Sequence, residues 1–241
     1  ILYSKVSGSQ DPYTLLLSNS LSQQSGSRIY QTLSDYIYTA GGDLNYNFKW
    51  LGQSQNIKAG YMFQVKDRLY DAQLFANYLP LDNPSLRALP AETVFAPENF
   101  GTGTDNKFAF DAIKGNTFRY MANTILNAGF LQFDNQFTSK LRVVWGLRVE
   151  NYDQLIGSVK KWDPRHTYSK ITDFLPGVNA TYKLNNKTNI RLSGSQTVIR
   201  PELRELSALN LYDFELNASV QGNPLLKRTK IENFDLRYEL Y

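Results

Sequence analysis

The chain alternates apolar and polar side chains over stretches of roughly nine or more residues, longer than the about 5–6 residues usual for strands of soluble domains. The clearest run sets Leu141, Val143, Trp145, Leu147 and Val149 on one face and Arg142, Gly146, Arg148 and Glu150 on the other. A period of two belongs to an extended strand with one apolar and one polar side. A strand tilted by about 45° needs about 9–11 residues to cross a bilayer, and these runs have that length. Ile57, Ala59, Tyr61, Phe63 and Val65 oppose Lys58, Gly60, Gln64 and Lys66, while Gly42, Leu44, Tyr46, Phe48 and Trp50 oppose Asp43, Asn45, Asn47 and Lys49. Phe174, Val178, Ala180, Tyr182 and Leu184 oppose Gly177, Asn179, Thr181 and Lys183, and Phe234, Leu236, Tyr238 and Leu240 oppose Asp235, Arg237 and Glu239.

Two runs fit less well. The row Ile190, Leu192 and Val198 contains Gln196, and residues 117–137 change phase, Leu126, Ala128 and Phe130 favouring one face and Leu131, Phe133 and Phe137 the other. A bulge or a rim would produce such a switch.

The links between runs alternate in length. Residues 51–55, 138–140 and 185–187 form short polar or Gly-bearing turns, whereas 80–116, 159–169 and 201–226 are long. Outer-membrane barrels have short periplasmic turns and longer external loops, so the strand from Asn56 is expected to run outward. The loop 80–116 holds Pro80, Pro84, Pro90 and Pro97, which leave room for one helical turn near 85–89 and nothing longer. Loops of that length are usually functional or disordered. The Ser/Gln/Asn-rich stretch before Arg28 reads as another external loop with part of an earlier strand.

The fold class expected is therefore all-β: an antiparallel transmembrane β-barrel, present in part as about 7–8 strands of a larger barrel. Sixteen Tyr, 14 Phe and 3 Trp, placed mainly near strand ends, suit the two membrane interfaces. The absence of a long apolar run excludes a transmembrane helix, and barrel strands escape hydropathy searches for the same reason. The net charge of +4 is spread along polar faces and loops, which speaks against nucleic acid as a partner. With no cysteine, thiol catalysis, disulfides and thiolate metal sites are excluded.

Catalysis finds no support. The single histidine, His166, lies in the loop KKWDPRHTYSK and reads as an exposed loop residue, and no HExxH, P-loop or GxSxG pattern occurs. No metal or cofactor is expected. Charges on the polar faces, namely Arg142, Arg148, Glu150, Arg191, Asp235, Arg237 and Glu239, are expected to face a wet lumen, because lipid would not tolerate them. Cross-strand pairing is their favoured role. Aromatic residues of the long loops, Phe95, Phe100, Tyr212 and Phe214, are candidates for solute contact.

The most specific segment is RPELRELSALNLYDFELNASVQGNPLLKRTKIENFDLRYELY, beginning at Arg200. Pro201 removes a ladder donor and ends the strand, ELREL forms one helical turn over the rim, and Gly222, Asn223 and Pro224 make a turn before the last strand. Arg200, Glu202, Arg204 and Glu205 are expected to fasten the long loop to the barrel mouth. Here the chain resembles the TonB-dependent outer-membrane receptors of the Bacteroidetes type, whose barrels carry similar RPE[FL]RE, YDFE and QGNP-L-KRT segments leading into NFDLRYE. LRVVWGLRVE, FLPGVNATYKL and IKAGYMFQVKDR look like the same family's earlier strands, so the resemblance runs from about Tyr30 onward.

What the resemblance implies is a 22-stranded barrel with a plug inside, as in other plugged transporters of about that size. It implies solute import energised by TonB, outer-membrane lipid as surroundings, and a surface lipoprotein as a further partner. Residues 1–241 are then expected to be one segment of the barrel domain, with plug, TonB box and remaining strands absent. Two other readings compete: an outer-membrane barrel of structural or secretion-associated role that does not transport, and a soluble carbohydrate-binding β-sandwich. The ligand is not encoded in the barrel pattern.

Overall fold

The computed structural model describes residues 2–5, 10, 12–23, 26–115, 118–213 and 215–241. The chain divides into two compact units. One comprises Ser34–Leu69, Met121–Ser207 and Asn223–Tyr241, and the other Ile1–Leu33, Tyr70–Tyr120 and Ala208–Gly222.

The alternating runs form the long strands β3 (Ser27–Trp50), β4 (Gln53–Tyr78), β6 (Arg119–Gln136), β7 (Leu141–Gly157), β8 (Thr167–Asn185), β9 (Thr188–Ile199) and β12 (Thr229–Leu240). Their order in one sheet is β12-β9-β8-β7-β6-β4-β3, each pairing with its neighbour in sequence apart from the short strands carried by the long links. The registers of β6 with β7, β7 with β8 and β9 with β12 are antiparallel and unbroken.

Register assigns every residue a face. Leu141, Val143, Trp145, Leu147 and Val149 share theirs with Tyr182, Ala180, Val178, Pro176 and Phe174 of β8, and Leu192 pairs with both Ala180 and Leu236. Solvent reaches this apolar face freely, Phe234 being 84% and Leu236 74% exposed. Apolar surface on that scale is not left bare by a soluble protein.

Beyond Val149 the same face turns polar, through Asn151 and Asp153 on β7 and Thr172 and Lys170 on β8. The strands thus continue past a nine-position apolar band, always towards the long links. Gln196 is opposite Glu232 of β12 in the register, and its amide donates to that carboxylate at 3.0 Å. The sequence irregularity at Gln196 is thus a polar cross-strand pair within the row.

No bulge interrupts β6 against β7. Leu131 and Phe133 lie on the apolar face, and Leu126, Ala128 and Phe130 on the polar one, where the Phe130 ring covers Gly60. A Cβ at Gly60 would stand 2.5 Å from that ring, so the position needs glycine. The phase change is a strand that is apolar on both faces along part of its length, exposed at Leu131 on one and buried at Ala128 on the other.

The short links are tighter than their sequence suggests. β3 and β4 join through Leu51 and Gly52, both with positive φ (51° and 76°), the geometry of a two-residue hairpin turn matching strand twist. β8 and β9 join through Asn186 and Lys187 beside an irregularity between Lys183 and Asn185.

The second unit has its own core. Its elements include β1 (Leu2–Ser4), β2 (Thr14–Leu16), β5 (Ala109–Ile113), β10 (Asn210–Asp213), β11 (Ala218–Gln221) and the turn of helix α1 (Pro84–Arg87). Leu15, Leu17, Leu79, Val94 and Phe108 are buried together, with Tyr3, Leu86, Leu89, Phe95 and Phe100 packed against them. Asn83 caps α1 by accepting from the Leu86 amide, and Pro84 stands in the first turn, where its missing N–H costs nothing. Arg87 then donates to the carbonyls of Leu15 and Leu17 at 2.8 and 3.1 Å. Residues 80–113 are thereby a packed element, and β5 returns to pair with the end of β4.

Candidate functional site

The antiparallel register of β7 and β8 places Glu150 directly opposite Asp173. Like charges in that position repel, and both carboxylates are removed from solvent, Asp173 being 1% exposed. Buried charges need partners. Arg148, two residues before Glu150 and on the same face, donates to one of its oxygens at 2.7 Å. The first residue after β9, Arg200, donates to both carboxylates, at 2.8 Å to Glu150 and 3.1 Å to Asp173. Arg228, the last residue before β12, donates to the other Asp173 oxygen at 2.7 Å. Three guanidinium groups therefore surround two carboxylates, and the Arg200 guanidinium lies 4.5 Å from the Tyr152 ring centre.

The RPELRE segment folds back from this point. After Pro201, helix α2 (Leu203–Leu206) makes one turn, with Leu203, Leu206 and Ser207 buried. The Glu205 carboxylate accepts from the Glu202 amide at 2.8 Å, which satisfies one N-terminal donor of the helix. The Glu205 carbonyl accepts from the Asn223 amide at 2.6 Å, and the Asn223 side chain accepts from Leu225 at 2.9 Å. Pro224 completes that turn after Gly222, and β12 follows. Arg204 is exposed and makes no ion pair among the described residues. The anchor expected of Arg200, Glu202, Arg204 and Glu205 thus consists of the Arg200 side chain, with Glu202 and Glu205 shaping the helical turn, and Arg204 stands outside it.

Asp173 was not among the residues singled out by sequence, although its parity with Gly177 and Asn179 places it on the polar face of β8. Arg228 belongs to the KRT segment, but nothing in the sequence pairs it with a residue on β8.

The other polar-face charges also pair. Arg142 makes two hydrogen bonds to Asp134 at 2.9 and 2.6 Å, and Arg191 and Arg237 approach Glu239 at 3.2 and 3.8 Å. Asp235 makes no ion pair among the described residues. Neighbouring strands continue the pattern, with Asp43 bound to Lys58, and Asp35 to Lys66 and Arg68.

Of the loop aromatics, Phe95 and Phe100 pack on Phe108 in the loop core, with ring centres 5.3 and 6.0 Å from it. They are half-buried packing residues and offer no open face on that side. The Tyr212 amide donates to Gln23 at 3.1 Å and its hydroxyl to Asn217. Phe214 lies outside the described residues.

His166 is half-buried, its Nδ1 lying 2.6 Å from the Ser158 carbonyl. In the same loop Arg165 grips Asp163 through two side-chain hydrogen bonds, and this contact holds the Asp163 carboxyl well below the usual carboxylate range. No group of acidic or histidine side chains suited to a metal occurs among the described residues.

A family model described as an outer membrane protein beta-barrel family matches residues 97–241, more than half of the chain and all of the strands from β5 onward. The chain belongs to this outer-membrane β-barrel family. Its place is therefore the bacterial outer membrane. No curated protein and no solved structure matches the chain.

Proposed function

We propose that this chain is part of the barrel of a TonB-dependent outer-membrane transporter of the Bacteroidetes type, which imports a solute and performs no covalent chemistry. The observation that carries the reading is the polar face. Between Asp35 and Glu239 it is laid out in ion pairs on strand after strand, opposite an apolar band. Small barrels fill their interiors with side chains, whereas charge-lined interiors belong to wide barrels holding water or a plug.

Among the described residues β3 and β12 stand at the two ends of the sheet, and a sheet in lipid must close to satisfy its backbone. The resemblance in RPELRE and QGNPLLKRT supplies the transporter class. Within that reading residues 1–241 are one barrel segment, TonB acts through a plug and TonB box elsewhere in the protein, and a surface lipoprotein is an additional partner. The long links face outward, and the loops 80–116 and 201–226 meet the solute.

The test is uptake by cells carrying the full-length gene as sole receptor. Growth on the imported nutrient should vanish when TonB is deleted and return with it. Uptake indifferent to TonB, with the protein present at the surface, would refute the assignment.

A further inference from the structure

The long link from β9 to β12 begins with Arg200 and ends with Arg228, and both side chains bind the carboxylate of Asp173. We propose that Asp173 is a latch that holds both roots of this link at once, so that the two roots of the strap, residues 201–207 and 223–227, are released together when its carboxylate is lost. It requires only the β-barrel assignment and does not depend on the transport reading.

Three observations converge. Asp173 is 1% exposed, so its pairing is shielded from water and salt. Its two oxygens are divided between the roots, Oδ2 facing Arg200 at 3.1 Å and Oδ1 facing Arg228 at 2.7 Å. The roots are also linked to each other just above this point, through the Glu205 carbonyl and the Asn223 amide. The strap therefore has a closed neck at its two roots.

Charge makes the neck asymmetric. With three arginines on two carboxylates, loss of Arg228 leaves a balanced set, whereas loss of Asp173 leaves Glu150 alone among three guanidinium groups. A buried charge stripped of its partner is the costly case. Asp173→Asn should therefore loosen the neck far more than removal of either arginine, and the two arginines together should matter more than the product of their separate effects.

Ser207, at the base of the strap, is fully buried, and its hydroxyl donates to the Arg204 carbonyl at 2.8 Å. It provides the reporter. In full-length protein purified in detergent, Ser207→Cys should react slowly with a maleimide, and adding Asp173→Asn should raise that rate by more than about tenfold, the cost of orphaning buried charge being large. Arg200→Gln or Arg228→Gln alone should change it little. Heat-modifiable gel mobility reports that the barrel itself is intact. If Asp173→Asn does not fold, the double variant Arg200→Gln/Arg228→Gln takes its place, and labelling faster than the product of the single effects supports the latch. Labelling in Asp173→Asn no faster than in Arg228→Gln, or a double variant equal to that product, would overturn it.

Discussion

Glu150 and Asp173 show how one pair of residues can dictate what a distant segment must carry. Strand register sets two carboxylates against each other, and arginines from beyond two strand ends are needed to hold them. Removing Asp173 by Asp173→Ala should cost about 3–5 kcal/mol, since arginines would be left without their anion. Arg142→Ala on the same face should cost only about 0–1 kcal/mol, because its pair with Asp134 is half open to water. Arg204→Ala, outside the network, should stay within about 0.5 kcal/mol. The temperature at which each full-length variant loses its heat-modifiable gel shift ranks them. Alternation was enough to place Arg142, Arg148, Arg191 and Arg237 on the polar face. It could not show which arginine reaches which acid, because Arg228 meets Asp173 through a fold-back that leaves no periodic trace.

Asp163 allows a pH prediction at the same scale. Its hydrogen bonds from Arg165 favour the ionised form in the folded chain and lower its pKa. The contribution to loop order is thus complete above the ordinary carboxylate value of about 3.9 and is lost only as pH falls through the lower folded value. Proteolysis within residues 158–166 by an acid-tolerant protease should remain constant from neutral pH to about pH 4 and rise only in stronger acid. Asp163→Asn should raise it at every pH and remove the acid-dependent rise; an unchanged profile would disprove the role of the pair.

At the level of single strands, β7 carries two environments on one face. The apolar run from Leu141 to Val149 is followed on the same face by Asn151 and Asp153. An arginine at Leu147 or Leu236 should cost about 2–4 kcal/mol if the band spans the bilayer core. The same change at Asn179 or Ser193, on the polar face, should be mild. Folding into liposomes followed by urea titration separates the two, and equal sensitivity of both faces would defeat the membrane assignment of these strands. The strong runs were legible because lipid selects a strict period of two. β6 was not, since Leu126, Ala128 and Phe130 are apolar on the inner face as well, where Ala128 is almost wholly buried. Apolar residues on both faces erase the alternation.

For the whole molecule, the alternation of short and long links was visible in the sequence, but the packing of the long ones was not. Leu15, Leu17, Leu79, Val94 and Phe108 form one core from positions scattered over the first half of the chain, with no spacing that announces them. The same topology makes the last prediction. The three short turns lie at one end of the sheet, because β3–β4, β6–β7 and β8–β9 are hairpins that turn the same way, while the links from β4 to β6, from β7 to β8 and from β9 to β12 start and end at the other. Placed outward, the long links would expose Lys161 on intact cells and leave Leu51, 80% exposed in its two-residue turn, in the periplasm. A membrane-impermeant maleimide should then label Lys161→Cys in whole cells and Leu51→Cys only after the outer membrane is opened. Labelling of Leu51→Cys alone on intact cells would invert the orientation and remove the long loops from any contact with incoming solute.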